Sequence, residues 1–347
     1  MHGGLTVARA VLPYSPTRPF GYWGGTFPDD EVERALASRR PLTLDMALPG
    51  RCRNSCEYCG YYGVNPTDKL TPTEIRRMIG AFAELGGKSI KILGEGEPLL
   101  RPDILELLTE ISHNSMIPVL FTCGDALGDE SLCRQSLGLS PHEVVEQLFD
   151  IGSTVVLKFD SWQQDDMVGR AGYTEARDRA LDLLIAAGLN QVYPSRLGFG
   201  IVLLKRNYAE VPSIFRFALE RNIYPLVCPL MPIGRSSARE FRERVAPTRS
   251  QTRALRAHLV EVRREYGIED TRVSDFPGDL PCDVSRCGMY VDDQGKLLIC
   301  ESDDCVGNIR TASLADLWAC VDGAKDRKYG AARRRGLCFP KRMRGIV

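Results

Sequence analysis

The chain has 347 residues, 44% of them apolar, and its 45 lysine and arginine residues equal its 45 aspartate and glutamate residues. This balance excludes a global electric field that would draw the protein to nucleic acid or to an anionic membrane. The sequence has no apolar run of the ~18–20 residues that cross a bilayer and no secretory signal at its start. We therefore expect a cytoplasmic protein, with its 12 cysteines reduced.

Residues 1–40 are rich in proline and glycine around the aromatic pair Tyr22 and Trp23. This composition predicts an irregular arm that packs on the body of the protein through its aromatic side chains. Two interpretations of the arm stay open. It is either an ordered extension without a chemical role, or a segment in which Tyr22 and Trp23 close over an active site.

From residue 41 onward, short apolar segments alternate with amphipathic ones. This alternation predicts an α/β protein, with a parallel sheet and helices outside it. In such an arrangement the functional residues come from the C-terminal ends of the strands. The predicted strands are 42–48, 88–93, 117–122, 153–159, 197–204 and 224–230, and the predicted helices lie near 72–85, 102–113, 140–151, 173–187 and 209–221.

Three cysteines, Cys52, Cys56 and Cys59, follow the first predicted strand within eight residues. Their thiolates suit a soft metal centre, but a structural zinc site and an ordinary cubane iron–sulfur cluster each take four protein ligands. The missing ligand indicates a cluster with one iron open to an exogenous ligand. A zinc knuckle is the alternative.

The C-x3-C-x2-C spacing, with Tyr58 directly before the last cysteine, resembles the signature of the radical S-adenosylmethionine (radical SAM) superfamily. The segment Gly96-Glu97-Pro98 after the second strand resembles that superfamily's GGEP motif, with Glu95 in place of the first glycine. The resemblance implies that SAM binds the open iron of a [4Fe–4S] cluster. An electron from the cluster would then cleave SAM to a 5'-deoxyadenosyl radical.

The resemblance also implies a partial, TIM-like (β/α)6 barrel over residues 41–240, with SAM held at the rim where its strands end. Cys123 and Cys228 end the third and sixth strands, and either thiol is a candidate to return hydrogen to a substrate radical. The residues expected to bind SAM are Tyr58, Glu95, Gly96, Glu97, Pro98, Thr122, Lys158, Ser161 and Lys205.

Residues 241–270 are strongly charged and predict a solvated connecting helix near 249–265. Beyond it, the segment 289–299 predicts a β-hairpin that turns at 292–295. If Val291 pairs with Lys296, the hairpin sets two pairs of thiols opposite one another at its open end. These pairs are Cys287 with Cys300, and Cys282 with Cys305.

The spacing from Cys282 through Gly295 to Cys300 is similar to the SPASM and twitch extensions of radical SAM enzymes. This similarity implies that residues 271–347 form a small domain with an auxiliary [4Fe–4S] cluster. We expect Cys282, Cys287, Cys300 and Cys305 as its ligands, with Cys338 a rival for the fourth position. Structural zinc is the alternative metal, because four thiolates suit it equally.

We therefore expect a radical SAM enzyme that uses an external one-electron reductant of the flavodoxin or ferredoxin type. The forty-residue arm is too short for the leader-binding domain that peptide-modifying relatives often carry. This favours a sugar, aminoglycoside or nucleoside intermediate of a natural product as substrate, with oxidation or epimerisation as the reaction. A peptide maturase, a bond-forming or eliminating enzyme and a non-catalytic metal-binding scaffold stay open as alternatives.

Overall fold

The computed structural model describes residues 20–61, 68–268, 274–278, 280–301, 303–338 and 341–342. Residues 1–19 of the predicted arm lie outside this part of the chain. Within it, nine strands form one open sheet in the order β6-β5-β4-β3-β2-β1-β7-β8-β9. The strands are β1 (Thr43–Leu48), β2 (Ser89–Gly94), β3 (Ile117–Thr122), β4 (Thr154–Lys158), β5 (Leu197–Leu203), β6 (Tyr224–Pro229), β7 (Gly288–Val291), β8 (Lys296–Leu298) and β9 (Cys305–Asn308).

The first six strands are all parallel, and each pairs with the next along the chain. This arrangement confirms the predicted partial barrel. Strand β7 pairs with β1 in parallel, and β8 and β9 continue antiparallel from it. The C-terminal hairpin therefore extends the barrel sheet, whereas the domain boundaries at 240 and 270 stay predictions.

Helices follow the strands as the alternation predicts. The described residues contain α1 (Asp29–Ser38), α2 (Pro72–Glu84), α3 (Ile104–His113), α4 (Asp125–Gly128), α5 (Glu130–Leu137), α6 (Pro141–Asp150), α7 (Asp165–Val168), α8 (Tyr173–Ala186), α9 (Val211–Leu219), α10 (Arg239–Val245), α11 (Arg249–Glu265), α12 (Asp283–Cys287), α13 (Leu314–Tyr329) and α14 (Ala331–Arg334). Short 3₁₀ turns lie at Pro98–Leu100 and Gly234–Ser237.

The two faces of β1 separate the core from the barrel interior. Leu44, Met46 and Leu48 are buried in the main hydrophobic core, and each such side chain stabilises the fold by about 1.5–3 kcal/mol. Asp45 points to the other face, where it lies opposite Lys91 of β2 in the strand register. The alternation along β1 thus gives core residues on one face and one charged residue, Asp45, on the other.

Capping residues explain why several helices begin close to where the sequence predicts. Thr71 begins α2 and Ser140 begins α6 with complete capping boxes, each followed by proline in the first turn. The predicted connecting helix α11 also begins with a capping box, at Thr248. It is not fully solvated, because Leu259 and Val262 on its inner face have no exposed surface.

The prediction of an irregular arm is wrong for Asp29–Ser38, which form α1. Three acidic residues in its first turn stabilise the helix N-terminus, and Val32 is completely buried. The preceding segment crosses the N-terminal ends of the strands. The Trp23 N–H donates to Ser195 O at 2.9 Å, and the Thr154 hydroxyl donates to Trp23 O at 2.8 Å.

The hairpin register differs from the prediction by one residue. Val291 pairs with Leu297 instead of Lys296, so the connection holds five residues between the paired positions instead of four, with Gly295 at φ 77° in the left-handed region. A slip of one residue changes which side chains share a face. Among the described helices, none is long and apolar enough to cross a membrane.

Candidate functional site

The cysteine loop 52–59 leaves the C-terminal end of β1. Its backbone is fixed to α7, since the Ser55 N–H donates to Val168 O at 2.8 Å. All three thiols border one cavity of ≈ 330 Å³, here called the first cavity. The structure therefore brings together the three cysteines that the spacing predicted as a set.

The chemistry of these thiols fits a metal cluster. Burial raises the pKa of Cys52 to about 12 and also raises the pKa of Cys56, so each thiol keeps its proton until a cation replaces it. Among the described residues, no three His, Cys, Asp or Glu side chains converge closely enough to hold a single metal ion. In a [4Fe–4S] cluster they need not converge, because each cysteine binds a different iron.

The glycines of the Gly94–Pro98 turn allow two backbone segments to touch. A Cβ atom on Gly96 would lie 2.5 Å from the carbonyl carbon of Gly50 and 2.6 Å from Arg51 N. Any larger residue would therefore push the turn away from the cysteine loop. Gly96 borders the first cavity, and Pro98 is buried at the start of the 3₁₀ turn.

Glu97 borders the first cavity, but its carboxylate is already bound by protein. It accepts the Leu99 N–H at 3.0 Å, the Cys123 N–H at 2.6 Å and the hydroxyl of Thr122. Two adjacent strand ends are joined in this way. The Glu97 carboxylate is thus occupied by protein donors, and the expectation that it contacts SAM stays a prediction.

Glu95 points away from the first cavity. Burial raises the pKa of its carboxyl to about 9, with Asp293 of the hairpin turn as the next cause. The Glu95 side chain does not border the first cavity, and the expectation that it contacts SAM stays a prediction.

At the end of β4, Lys158 and Tyr58 line the first cavity together. The Lys158 ammonium lies 2.5 Å from Asp160 Oδ2 and hydrogen-bonds to the Tyr58 hydroxyl, which itself donates to Asp160. Burial by itself would lower the pKa of Lys158, but Asp160 and other nearby acidic groups raise it, so the ammonium keeps its charge. This group supplies a fixed cation beside the cysteine loop.

Two of the expected SAM contacts lie elsewhere. The Ser161 hydroxyl donates to Glu210 Oε2 at 2.8 Å and to Gln163 O at 2.9 Å. Lys205 is exposed and donates to Glu243 O at 2.6 Å. Neither side chain borders the first cavity, since Ser161 is buried against Glu210 and Lys205 lies at the surface.

A second cavity of ≈ 180 Å³ adjoins the first. Cys282, Cys300 and Cys338 border it, together with Lys91 and Asp45 from the barrel interior. Four side chains belong to the walls of both cavities: Phe121, Cys228, Met231 and Glu301. Cys123 borders the first cavity only.

Cys287 and Cys305 do not border the second cavity, so the structure does not bring the four expected ligands together there, and the ligand set stays a prediction. The thiol of Cys287 is buried beside Val32, 3.8 Å from its carbonyl oxygen, and the thiol of Cys305 is exposed and near Gly307 O. Cys287 ends α12, before β7 begins, and Cys305 begins β9, so neither thiol lies on the hairpin face that the prediction assumed. Cys338, the rival ligand, borders the second cavity with Cys282 and Cys300.

Sequence reasoning missed a buried cluster where the cavities adjoin. The Tyr61 hydroxyl donates to Glu301 Oε1 at 2.6 Å and lies 2.8 Å from the hydroxyl of Tyr290. The available signal was proximity in sequence, since Tyr61 follows Cys59 by two residues and Glu301 follows Cys300 directly.

Comparison with known proteins agrees with this geometry. The model of the Radical SAM superfamily matches residues 46–218. The chain is 26% identical over 312 residues to a protein of Methanothermobacter marburgensis named probable GTP 3',8-cyclase, covering 86% of this chain and 96% of that one. It is 24% identical over 319 residues to GTP 3',8-cyclase of Klebsiella pneumoniae subsp. pneumoniae, covering 86% and 88%.

Solved structures agree on the fold. SuiB of Streptococcus suis bound to its precursor peptide SuiA superposes with a TM-score of 0.60 at 16% identity, covering 89% of this chain and 74% of SuiB. The structure of anSMEcpe with bound AdoMet and a peptide gives a TM-score of 0.54 at 14% identity, covering 80% of both chains.

These relatives correct the expected function. Oxidation or epimerisation of a sugar-like natural-product intermediate, and peptide maturation, are contradicted because the similar curated proteins are named GTP 3',8-cyclases. The role of Cys123 or Cys228 as hydrogen donor belonged to that epimerisation. The predicted cofactors, SAM with a SAM-binding [4Fe–4S] cluster and an auxiliary [4Fe–4S] cluster, are confirmed. The chain belongs to the radical SAM superfamily.

Proposed function

We propose that this enzyme uses a SAM-derived radical to cyclise a purine nucleotide, with GTP as the substrate to test first. The names of its curated relatives support this choice of reaction and substrate. In this proposal Cys52, Cys56 and Cys59 hold the SAM-binding cluster. The substrate lies where the two cavities adjoin.

One observation carries the proposal: of the four cysteines in the wall of the second cavity, only three, Cys282, Cys300 and Cys338, come from the C-terminal region, whereas Cys228 ends β6 and also borders the first cavity. Cys282, Cys300 and Cys338 as the cluster ligands would leave one iron without a protein ligand. Such an iron accepts a nitrogen or oxygen atom of a substrate, as a base of a nucleotide offers. A closed four-cysteine site would lack this capacity.

The proposed reaction balances with two electrons from the reductant, of which one cleaves SAM to methionine and the 5'-deoxyadenosyl radical and the other reduces the radical on the base. The 5'-deoxyadenosyl radical takes the hydrogen atom from C3' of the ribose and becomes 5'-deoxyadenosine. The C3' radical adds to C8 of the base, which forms a carbon–carbon bond and leaves the unpaired electron on the ring. One electron, from a reductant of the flavodoxin or ferredoxin type, and one proton then complete a product isomeric with GTP.

The test uses anaerobically reconstituted enzyme, SAM, a low-potential reductant and GTP deuterated at C3'. We expect deuterium in 5'-deoxyadenosine and consumption of GTP in equal amounts. The cyclised product should have the mass of unlabelled GTP, because a hydrogen replaces the abstracted deuterium. Cys56→Ala should abolish SAM cleavage. Cys320→Ala, which removes an exposed thiol on α13, is the matched control and should retain the reaction.

Two results would contradict the proposal. One is SAM cleavage without consumption of GTP, and the other is 5'-deoxyadenosine without deuterium while GTP is consumed. The first would exclude GTP as substrate, and the second would move hydrogen abstraction to another carbon.

A further inference from the structure

Lys341 borders the second cavity and is unusual because its ammonium group is buried. The residue is 1% exposed, its side chain borders the cavity, and no described residue forms a hydrogen bond with its Nζ atom. The ammonium lies over the ring of Phe276, with Nζ 4.2 Å from the ring centroid. A buried ammonium without a hydrogen-bond acceptor is costly, which indicates that a ligand supplies one.

The backbone around Lys341 is firmly held. Asp275 accepts the Cys338 N–H at 2.7 Å, and both of its carboxylate oxygens bind Arg342, at 2.7 and 2.6 Å. The bidentate pair with Arg342 fixes the last described turn of the chain. These contacts hold the backbone on both sides of Lys341 in place, so the position of its side chain at the cavity is set by the fold.

The acidic groups that border the cavity are already engaged. Asp45 lies 3.8 Å from the ammonium of Lys91, and Asp283 binds Arg286. Glu301 accepts the Tyr61 hydroxyl. None of these carboxylates reaches Lys341 within the distance of an ion pair. Among the described residues, Lys341 therefore has no carboxylate within ion-pair distance, although Glu301 is near enough to feel its charge.

We infer that Lys341 binds an anionic group of the substrate in the second cavity, namely a phosphate. The inference rests on the proposed function, which provides a nucleotide with phosphate groups. A phosphate oxygen offers a strong charge-assisted acceptor to a lysine, and the low polarity around Phe276 strengthens the attraction. Lys91, buried on β2 and bordering the same cavity, adds a second cation on the barrel side.

A competing role for Lys341 is to balance the charge of a cluster held by Cys338, three residues earlier. The two roles differ in what a substitution changes. A lysine that binds phosphate affects the affinity for GTP but not for guanosine. A lysine that balances the cluster alters the reduction potential of the cluster and leaves nucleotide affinity unchanged.

The test compares wild-type holoenzyme with Lys341→Met, Lys341→Arg and the control Lys88→Met, in which an exposed lysine is removed. Anaerobic equilibrium binding measures the dissociation constants of GTP, guanosine and inorganic pyrophosphate. Iron content and electron paramagnetic resonance titration report on the clusters. We expect Lys341→Met to weaken GTP and pyrophosphate binding by about 10- to 100-fold, with guanosine binding and the clusters unchanged. Lys341→Arg should recover part of the loss.

Several outcomes would overturn the inference: unchanged GTP and pyrophosphate affinity in Lys341→Met, equal losses for GTP and guanosine, or a shifted cluster potential with normal nucleotide binding. The pyrophosphate measurement separates the two proposals. Binding of pyrophosphate that depends on Lys341, without turnover of GTP, would retain the phosphate subsite and refute the proposed function. Turnover of GTP that is insensitive to Lys341 would do the reverse.

Discussion

The hydroxyl of Tyr61 lies 2.6 Å from Oε1 of Glu301, and through this bond the loop of the first cysteine set is tied to the second. Tyr61 follows Cys59 by two residues, and Glu301 follows Cys300 directly. Tyr290 completes the cluster from β7. Because Glu301 borders both cavities, this bond fixes the distance between the two sites where the substrate is proposed to lie.

Tyr61→Phe should destabilise the protein by about 1–3 kcal/mol, because it leaves a buried carboxyl without its hydroxyl donor. Burial raises the pKa of Glu301, and the bond from Tyr61 lowers it, so the variant should raise that pKa further. Anaerobic urea unfolding measures the change. Tyr208→Phe, which removes an exposed hydroxyl 3.1 Å from Gln251 O, is the control. Equal stability losses in the two variants would refute a special role for Tyr61.

Cysteine substitution should separate the two ligand sets. Cys338→Ala should lose the auxiliary cluster and about four of about eight irons, as expected for two four-iron clusters. Cys305→Ala and Cys287→Ala should keep both clusters, because the structure places their thiols away from the second cavity. Iron analysis and electron paramagnetic resonance measure this. Loss of the auxiliary cluster in Cys305→Ala but not in Cys338→Ala would restore the set predicted from the sequence.

Gly96→Ala should weaken SAM binding at least about tenfold, because the added methyl group would meet the Gly50 backbone at 2.5 Å. The expected displacement separates the turn from the cysteine loop. Equilibrium binding of SAM to the anaerobic holoenzyme checks this. Gly80→Ala is the matched control, since nothing lies within 4 Å of its Cβ position on α2. Alanine in a helix should stabilise the protein by ~0.5–1 kcal/mol. Normal SAM affinity in Gly96→Ala would show that the turn tolerates the displacement.

Glu95→Gln should stabilise the protein at pH 8 and have little effect near pH 4.5. Burial raises the pKa of Glu95 to about 9, from an ordinary value of 4.5. The folded state therefore keeps a proton that the unfolded state releases, and stability falls as the pH rises from 4.5 toward 9. Glutamine cannot ionise and removes this loss, by roughly 1–2 kcal/mol after partial solvent exposure is considered. Thermal unfolding at both pH values measures the difference, and a larger stabilisation at the acidic pH would reverse the assignment.

Much of the fold could be predicted from local patterns. The apolar alternation of β1 and the capping residues Thr71 and Ser140 act over a few residues, so element bounds matched the structure closely. Helix α1 was missed because the proline and glycine around it outweighed a short amphipathic pattern. The acidic first turn at Asp29 was the signal that could have revealed it.

In the candidate site, too, residues that are close in sequence could be predicted together, whereas placements that depend on distant contacts could not. Cys52, Cys56 and Cys59 are close in sequence, so any compact loop brings their thiols to one cavity. Glu95 and Glu97 could not be assigned to opposite sides, because the path of the turn depends on how closely Gly96 approaches Gly50.

The sequence by itself determined the order of strands and helices and the first cysteine set, because short-range spacing controls both. Only the tertiary structure shows which cysteines border the second cavity. Cys287 ends α12 with its thiol beside Val32, whereas the bond from the Cys338 N–H to Asp275 holds Cys338 at the cavity. The bonds of Asp275 with Arg342 hold Lys341 there as well. Contacts between residues far apart in the chain depend on packing, which no local pattern records.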